Sequence, residues 1–311
     1  MTTYSLSADD VRAEVSMPAA IDAVRLAFLA LEAGEFELPV RTALRDGAFL
    51  TMTAHHRPTA SLSVKTVSLD FDRRPAVQGT VLWTSLGSPD SLLMDAGAVT
   101  ALRTGAVVGV ATDLLAPADV RSLVLVGLGG QSADQLRAVQ AVRDVERVTL
   151  VDRSPELVAA FHQRCAAELD GLEVHEETDV AVALAHADVV CCATPSTEPL
   201  FTLADLPERV HVNAIGAYRQ TMQELPIALL TATTVVVDQV EAVLEESGEI
   251  HRAVEEAGLD PAALVELGAA LGDPGRRRAA RTVFKSVGLG IQDWSVANAV
   301  ATARGLVGQG G

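Results

Sequence analysis

The stretch that decides the fold is residues 122–152, SLVLVGLGGQSADQLRAVQAVRDVERVTLVD. It contains an apolar strand over 123–126, a glycine turn, an amphipathic helix and a second apolar strand over 148–151 that ends at Asp152. This order is typical of a βαβ unit that binds a dinucleotide. We therefore expect a pyrophosphate at the turn, where the free N–H groups and the positive dipole end of a helix N-terminus favour anions.

The turn itself reads Gly127-Leu128-Gly129-Gly130-Gln131. Gly127 permits a tight turn, and Gly129 lets the backbone approach a pyrophosphate with no Cβ in the way. The third glycine of the usual fingerprint is replaced by Ser132, so the turn by itself also fits an ordinary βα connection. The surrounding strands, helix and acid favour nucleotide binding.

Asp152 bears on the choice of nucleotide. It follows Gly129 at about the 20-residue spacing expected for a carboxylate that accepts the ribose hydroxyls. An acid at this position favours NAD(H), because it repels a 2′-phosphate. Arg153, its neighbour, could accommodate that phosphate, so NADP(H) stays open.

Composition sets further limits. A chain of 311 residues predicts about two domains. The net charge of −17 and the lack of a basic stripe argue against a nucleic-acid partner. The sequence has no run of 18 apolar residues and no basic segment leading into an apolar one near residue 1, so we expect neither a membrane span nor a signal peptide. Cys165, Cys191 and Cys192 are interpreted as small buried hydrophobes, and a reducing cytoplasm is expected.

Two sections are predicted to fold differently. Residues 119–287 alternate strand and helix, with strands also at 173–175, 188–193, 211–215 and 234–238, which predicts a Rossmann-type doubly wound parallel sheet. Residues 1–118 predict an α+β section, with a helix that Ser16 caps and Gly34 ends, antiparallel strands near 48–53, 62–69, 79–84 and 91–95, and a long helix over 99–115. The helix after residue 288 is expected to return to this first section.

Three cations of the first section stand out. Arg41 follows Pro39-Val40, Lys65 lies in an apolar strand, and Arg103 lies in a helix of small residues. Such side chains are seldom buried without a partner. Together they would suit a substrate carboxylate, to which arginine offers two parallel hydrogen bonds. The alternative is a lysine whose amine reaches solvent and an arginine in a structural ion pair. His55 and His56 lack further ligands at suitable spacing, so no metal site is expected.

Several segments together resemble the ornithine cyclodeaminase/mu-crystallin family. They are Arg41, Lys65, LLMDAGAVTALRTGA at 92–106, GLGGQ at 127–131, VNAIGAYRQTMQEL at 212–225 and TVFKSVGLGIQDW at 282–294. The resemblance covers nearly the whole chain in order. It implies a homodimer, formed through the sheet of a discontinuous substrate-binding and dimerisation domain, residues 1–118 with 288–311, beside a dinucleotide-binding domain, residues 119–287.

The resemblance also implies residue roles. Arg41, Lys65 and Arg103 would hold the α-carboxylate of an amino or imino acid. The cofactor residues would be Gly129, Gly130 and Gln131 at the pyrophosphate, Asp152 at the ribose, Thr104 at a phosphate, and Thr80 and Val287 near the nicotinamide.

Tyr218 departs from part of the family. Cyclodeaminases and the related alanine dehydrogenases carry an aspartate two residues after the glycine that corresponds to Gly216, where it transfers protons and holds the substrate amine. A tyrosine, with an ordinary pKa near 10, is a poor base at neutral pH. We therefore predict NAD(P)H-dependent reduction of a cyclic imino acid, Δ1-pyrroline-2-carboxylate or Δ1-piperideine-2-carboxylate, to proline or pipecolate. Lys65 would be the route for the proton, and Tyr218 would wall the ring pocket or contribute a hydroxyl.

Two alternatives remain open. The first is an ornithine or lysine cyclodeaminase in which Glu224 or Asp293 replaces the missing aspartate. Glu224 is more readily interpreted as an acid at a helix N-terminus, and Asp293 as a cap or ion-pair partner. The second is a non-catalytic NAD(P)-binding protein like a crystallin, against which the retained Arg41, Lys65 and Arg103 argue.

Overall fold

A computed structural model describes residues 1–70, 72–73, 75–273 and 279–307. The chain divides into two compact units, unit 1 with Met1–Val107 and Leu289–Gly311, and unit 2 with Val108–Gly288. The first boundary falls inside a continuous helix, whereas the sequence places it at 118, just after that helix. Residues 308–311, at the end of the predicted first domain, lie outside the described residues.

Unit 1 combines elements from both ends of the chain. Its strands are β1 (Thr3–Leu6), β2 (Phe36–Glu37), β3 (Thr42–Leu44), β4 (Phe49–His56), β5 (Ser61–Leu69), β6 (Val77–Ser85) and β7 (Ser88–Asp95). Its helices are α1 (Ala8–Glu14), α2 (Met17–Glu32), the first part of α3 (Ala96–Leu115) and, at the end of the chain, α12 (Gly290–Ala303).

Unit 1 is built on one sheet of order β1-β7-β6-β5-β4-β2, with β3 paired to β4. The pairs from β4 to β7 are antiparallel, as the alternating pattern predicts. β1 pairs parallel with β7, which the sequence did not indicate. Helix α2 begins as predicted, because the Ser16 side chain accepts the N–H of Ala19. Helix α12 packs against α2 and the sheet, so the end of the chain completes the core of unit 1.

Unit 2 carries the remaining elements. Its strands are β8 (Ser122–Val126), β9 (Arg147–Val151), β10 (Glu173–Glu177), β11 (Val189–Cys192), β12 (Val210–Ala214), β13 (Thr234–Val237), β14 (Val265–Glu266) and β15 (Arg281–Lys285). Its helices are α4 (Ser132–Val142), α5 (Pro155–Arg164), α6 (Ala166–Leu169), α7 (Val180–Leu184), α8 (Ile227–Ala232), α9 (Val240–Glu246), α10 (Gly248–Ala257) and α11 (Leu267–Gly272).

The sheet of unit 2 has the order β10-β9-β8-β11-β12-β15-β13-β14. Every one of these pairs is parallel. This is the doubly wound sheet that the sequence predicts. The strands run to either side from β8, so the switch in strand order lies between β8 and β11, the place where such sheets bind ligands at their carboxyl ends. β15 was not predicted, although it lies in the interior of the sheet between β12 and β13.

Helix α3 is the element whose composition is closest to that of a membrane span. In the described part of the chain it is the one helix long and apolar enough to pass that test, and 94% of its apolar window is buried. Buried core helices of soluble proteins have the same length and composition, so these two features of α3 do not by themselves indicate a span.

Candidate functional site

The glycine turn of unit 2 leaves β8 in a conformation that needs glycine at its first position. Gly127 has a φ of +90°, and a Cβ there would lie 2.7 Å from the carbonyl oxygen of Ala193. A Cβ on Gly129 or Gly130 would meet nothing within 4 Å. Gly127 is therefore required by the close approach of the strand end after β11, whereas the backbone of Gly129 and Gly130 is open to a ligand.

Ser132 explains how the third glycine of the fingerprint can be absent. Its side chain is buried, and its Oγ donates a hydrogen bond of 2.7 Å to the carbonyl oxygen of Gly129. Helix α4 begins at this serine, and Gln131 at its N-cap makes no side-chain capping hydrogen bond. The N–H groups at the start of a helix need a partner. The turn and the start of α4 thus fit the pyrophosphate of a dinucleotide.

Asp152 lies beside this turn. One carboxylate oxygen accepts the N–H of Leu128 at 2.8 Å and the other accepts the N–H of Ser154 at 2.9 Å. The carboxylate therefore joins the end of β9 to the glycine turn. Arg153 is exposed.

Arg164, the last residue of α5, contacts this turn, and the sequence analysis did not identify it. Its Nη2 donates to the carbonyl oxygens of Leu128 and Gly129 at 3.3 and 3.2 Å, and to Oγ of Ser132 at 3.2 Å. The guanidinium thus binds the carbonyl oxygens of the turn. It does not occupy the N–H groups of the turn, which can bind an anion. No local pattern could have found it, since the contact depends on how α5 packs.

Glu224 has a different role from the one expected. It was interpreted as an acid at a helix N-terminus, which is wrong, because α8 begins only at Ile227 and the carboxylate turns to two loops. It accepts the N–H of Thr194 at 2.6 Å, Oγ1–H of Thr194 at 2.9 Å, the N–H of Gly216 at 2.7 Å and the N–H of Ala217 at 3.2 Å. Glu224 therefore ties the loop after β11 to the loop after β12.

A second buried carboxylate and a lysine support this arrangement. Nζ of Lys285 lies 2.9 Å from Oε1 of Glu249 and donates to the carbonyl oxygen of Ala217 at 2.5 Å. Oε2 of Glu249 accepts the N–H of Glu224 at 2.7 Å. All three charged side chains are fully buried. Burial raises the pKa of the Glu224 carboxyl, and the positive charge of Lys285 opposes that rise.

Tyr218 follows directly on the segment that Glu224 and Lys285 hold. It is half-buried, and the guanidinium carbon of Arg219 lies 5.1 Å from the centroid of its ring. Gly216 must be glycine, since a Cβ there would lie 2.3 Å from the carbonyl oxygen of Thr194. Position 218, where the resemblance implies an aspartate in the cyclodeaminases, therefore directly follows a segment that a buried polar network holds, and it carries a phenol.

Asp238 lies beside Val287, one of the two residues predicted to lie near the nicotinamide. The sequence analysis did not identify it. It is buried at the end of β13 and accepts Oγ–H of Ser286 at 2.8 Å, the N–H of Val287 at 2.9 Å and the N–H of Gly288 at 2.8 Å. The side chain of Val287 is buried as well.

In unit 1 the structure brings Lys65 and Arg103 together. Lys65 projects from β5 and is 3% exposed, and its Nζ lies 2.7 and 2.9 Å from the two carboxylate oxygens of Asp293. Nε of Arg103 lies 3.4 Å from Oδ1 of Asp293, and its Nη1 donates to Oε1 of Gln292 at 2.6 Å. Asp293 is an ion-pair partner, as expected. The alternative in which the lysine amine reaches solvent is wrong.

The electrostatics of this cluster favour an added anion. Burial lowers the pKa of Lys65 to about 8, and the positive charges of Arg103 and Arg41 act in the same direction, whereas Asp293 raises it. Among the described residues, Asp293 is the one carboxylate that pairs with either Lys65 or Arg103. Two buried cations that share one carboxylate leave a positive charge, which a ligand carboxylate could balance.

The other predicted positions lie as follows. Thr104 is buried on α3 next to Arg103, and Thr80 is exposed on β6. The three cysteines are free and buried, as expected, and burial raises the pKa of Cys191 to about 12. His56 packs beside Trp294, with ring centroids 4.6 Å apart. Among the described residues, no group of three or more His, Cys, Asp or Glu side chains could hold a metal ion.

Comparison with known proteins gives consistent matches along the chain. The model of the ornithine cyclodeaminase/mu-crystallin family matches residues 1–304. The chain is 32% identical over 306 residues to Δ1-pyrroline-2-carboxylate reductase of Bacillus cereus, with 94% of each chain covered. It is 35% identical over 239 residues to L-lysine cyclodeaminase of Streptomyces rapamycinicus, covering 72% of this chain and 69% of the relative. The structure of Thermococcus litoralis Δ1-pyrroline-2-carboxylate reductase in complex with NADH and L-proline matches with a TM-score of 0.90, at 30% identity, over 97% of this chain and 98% of that one.

Proposed function

Because this chain belongs to the ornithine cyclodeaminase/mu-crystallin family, we propose that it is an NAD(H)-dependent reductase of a cyclic imino acid. The substrate is Δ1-pyrroline-2-carboxylate or its six-membered analogue Δ1-piperideine-2-carboxylate, and the product is proline or pipecolate. The observation that carries this proposal is the buried Lys65–Arg103–Asp293 cluster, which has the excess positive charge that a carboxylate needs.

The substrate carboxylate binds at this cluster. Arg103 offers the planar fork that matches a carboxylate, and Arg41 adds a further positive charge close enough to act on Lys65. Fixing the carboxylate also fixes the imine carbon, which lies one bond away from it. Positioning of this kind supplies several kcal/mol of a typical barrier reduction.

The dinucleotide is held by residues of unit 2. Gly127, Gly129, Gly130 and Gln131 with the start of α4 receive the pyrophosphate, and Asp152 receives the adenosine ribose. Thr80, Thr104 and Val287 are proposed to contact the remainder. The negative charge of Asp152 favours NAD(H), and Arg153 is the residue through which NADP(H) could also be used. When bound, the reduced nicotinamide supplies the hydride.

The reaction also needs one proton. Hydride adds to the imine carbon, the C=N π bond breaks toward nitrogen, and the nitrogen takes the proton to give the secondary amine. Lys65 is our candidate donor, because an ammonium with a pKa of about 8 is mostly charged at pH 7 yet gives up its proton more readily than an ordinary lysine.

The match to the lysine cyclodeaminase is the reason to consider a cyclodeaminase as the second candidate function. Cyclodeamination needs a carboxylate that grips a cationic amine, and position 218 holds a tyrosine. Glu224 is occupied by four hydrogen bonds from the protein, and both oxygens of Asp293 face Lys65. Neither carboxylate is therefore a ready substitute for the missing aspartate, and we favour the reductase.

The deciding experiment is a spectrophotometric panel on the purified protein. NADH and NADPH oxidation is measured with five- and six-membered cyclic imines and with pyruvate plus methylamine, and ammonia release is measured with L-ornithine or L-lysine and NAD⁺. We expect NADH oxidation with the cyclic imines and little ammonia. Robust ammonia release would replace the proposal by the cyclodeaminase, and nucleotide binding without any turnover would favour the crystallin-like protein.

Tyr218 variants sharpen that test. Tyr218→Asp should gain some deamination and lose part of the imine reduction, since it places a negative charge near the ring pocket. Tyr218→Phe is the matched control, because it keeps the ring and removes only the hydroxyl. Equal deamination by both variants would show that a carboxylate at this position is irrelevant.

We also propose a homodimer that forms through the sheet of unit 1. Leu44 of β3 and Phe49 of β4 are cross-strand partners, and they are 61% and 48% exposed. Apolar side chains exposed side by side are common at protein interfaces. Light scattering on the purified protein measures the mass directly, and Leu44→Glu should shift it from dimer to monomer.

A further inference from the structure

We propose that Asp293 is a positioning residue of the reductase: it holds Lys65 and Arg103 beside each other and keeps Lys65 in its charged, proton-bearing form. The part that concerns catalysis rests on the proposed function. The part that concerns the charge on Lys65 stands on the structure of unit 1 and is testable without substrate.

The position of Asp293 is itself well fixed. It lies in the first turn of α12, where its charge is also favoured by the helix dipole, and it is 1% exposed. Its neighbour Gln292 accepts Nη1–H of Arg103 and also the N–H of Leu289. Two consecutive residues of α12 thus set the places of both cations.

Asp293 forms an ion pair with Lys65, so its carboxylate is not available as a general base. Nζ of Lys65 lies within 2.9 Å of both carboxylate oxygens, and Nε of Arg103 lies 3.4 Å from one of them. A buried ammonium is stable only if its charge is compensated.

The other groups around Lys65 do not compensate it. Its cross-strand partners on β4 and β6 are Met52 and Val81, which are apolar. The charged groups that act on it are Arg103 from α3 and Arg41 from the segment before β3, and both oppose its charge. Among the described residues, Asp293 is the one carboxylate that pairs with Lys65 and favours its charged form.

The consequence is a dependence of activity on the charge of residue 293. With a neutral side chain there, Lys65 would lose its proton at a lower pH. A neutral amine can neither pair with the substrate carboxylate nor protonate the imine nitrogen. Reductase activity would then fall at a pH where the unmodified protein still works.

The first measurement uses the lysine content of the chain. The sequence contains two lysines, Lys65 and Lys285. Protein labelled with ¹³C-lysine therefore gives two Cε signals, which Lys65→Arg assigns. We expect the titration midpoint of Lys65 to fall by about 1–3 pH units in Asp293→Asn, the effect of losing an opposite charge at this distance. The Cε signal of Lys285, which lies in unit 2, is the internal reference.

Two further variants separate charge from packing. Asp293→Glu keeps the charge and should leave the midpoint of Lys65 nearer that of the unmodified protein, which also covers the case that Asp293→Asn does not fold. Glu168→Gln is the matched control, because it removes a carboxylate that pairs with Arg137 in unit 2. An unmoved Lys65 midpoint in Asp293→Asn would overturn the inference, as would an equal fall in both position-293 variants.

The second measurement is the pH profile of kcat/KM for the cyclic imine. We expect the alkaline limb to move to lower pH in Asp293→Asn by the shift seen in the titration. A merely structural role would lower the rate at every pH and leave the limb where it was. No reductase activity together with a moved Lys65 midpoint would refute the proposed function and not the role of Asp293.

Discussion

Replacing Arg103 by lysine tests the carboxylate clamp while keeping its charge. Arg103 is 7% exposed and uses Nη1 on Gln292 and Nε toward Asp293. A lysine ammonium is a point charge and cannot offer two parallel hydrogen bonds. The variant thus removes the fork but leaves the number of cations around Asp293 unchanged.

The magnitude follows from what is lost. A hydrogen bond to a charged group contributes about 1.5–3 kcal/mol. If the substrate carboxylate loses one such bond in the transition state, kcat/KM falls about 10- to 150-fold. The fold should be affected less, because Lys65 still contacts both oxygens of Asp293 and Gln292 still accepts the N–H of Leu289.

The assay compares steady-state kinetics with thermal unfolding. The matched control is Arg143→Lys in unit 2, since the Arg143 guanidinium donates to the carbonyl oxygens of Thr112, Ala116 and Pro117. We expect Arg143→Lys to lower Tm with little change in kcat/KM. We expect Arg103→Lys to lower kcat/KM with little change in Tm. Unaltered kcat/KM in a folded Arg103→Lys protein would refute the clamp and make Arg103 a structural residue.

Three further predictions concern unit 2. The unmodified protein should bind NADH more tightly than NADPH in a fluorescence titration. Asp152→Asn should make the two affinities more similar, because it removes the negative charge but keeps one acceptor oxygen. A clear preference of the unmodified protein for NADPH would contradict this prediction. Glu224→Gln should lower the free energy of unfolding by about 1–3 kcal/mol in a denaturant titration, because a donor amide replaces an oxygen that accepts two N–H groups; an unchanged midpoint would mean that water replaces those bonds. His211 is buried between Thr282 and Asn213, and burial lowers its pKa to about 4. As the pH falls, the unfolded chain therefore takes up a proton on this histidine before the folded chain does. The free energy of unfolding should fall by up to about 3 kcal/mol as the pH drops from 6.5 toward 4. His211→Gln should make this fall smaller, and an equal fall in both proteins would contradict the prediction.

Much of the fold could be predicted because its signals are local. The glycine turn, the apolar strands β8 and β9 and the Ser16 cap each depend on neighbouring residues, and the structure has them where the sequence placed them. The interior position of β15 depends on pairing with β12 and β13, which are distant in sequence. No periodicity within 281–285 indicates that partnership.

The same difference separates the parts of the candidate site. Lys65 and Arg103 could be singled out because a cation in an apolar segment demands a partner. That Asp293 is the shared partner could not be derived, since it comes from a helix more than 180 residues later in the chain than either cation. Arg164 and Glu224 were missed or misread for a related reason: each binds backbone groups of loops, and a backbone partner leaves no trace in residue type.

The burial of both lysines has a use beyond the active site. Lys65 belongs to unit 1 and Lys285 to unit 2, and they are 3% and 0% exposed. A reagent that acylates amines can reach either side chain only when the surrounding structure opens. Mass spectrometry of the two acylated peptides, followed along a denaturant series, would therefore report the opening of each unit separately. A single unmodified chain thus carries one chemical probe of local unfolding in each of its two halves.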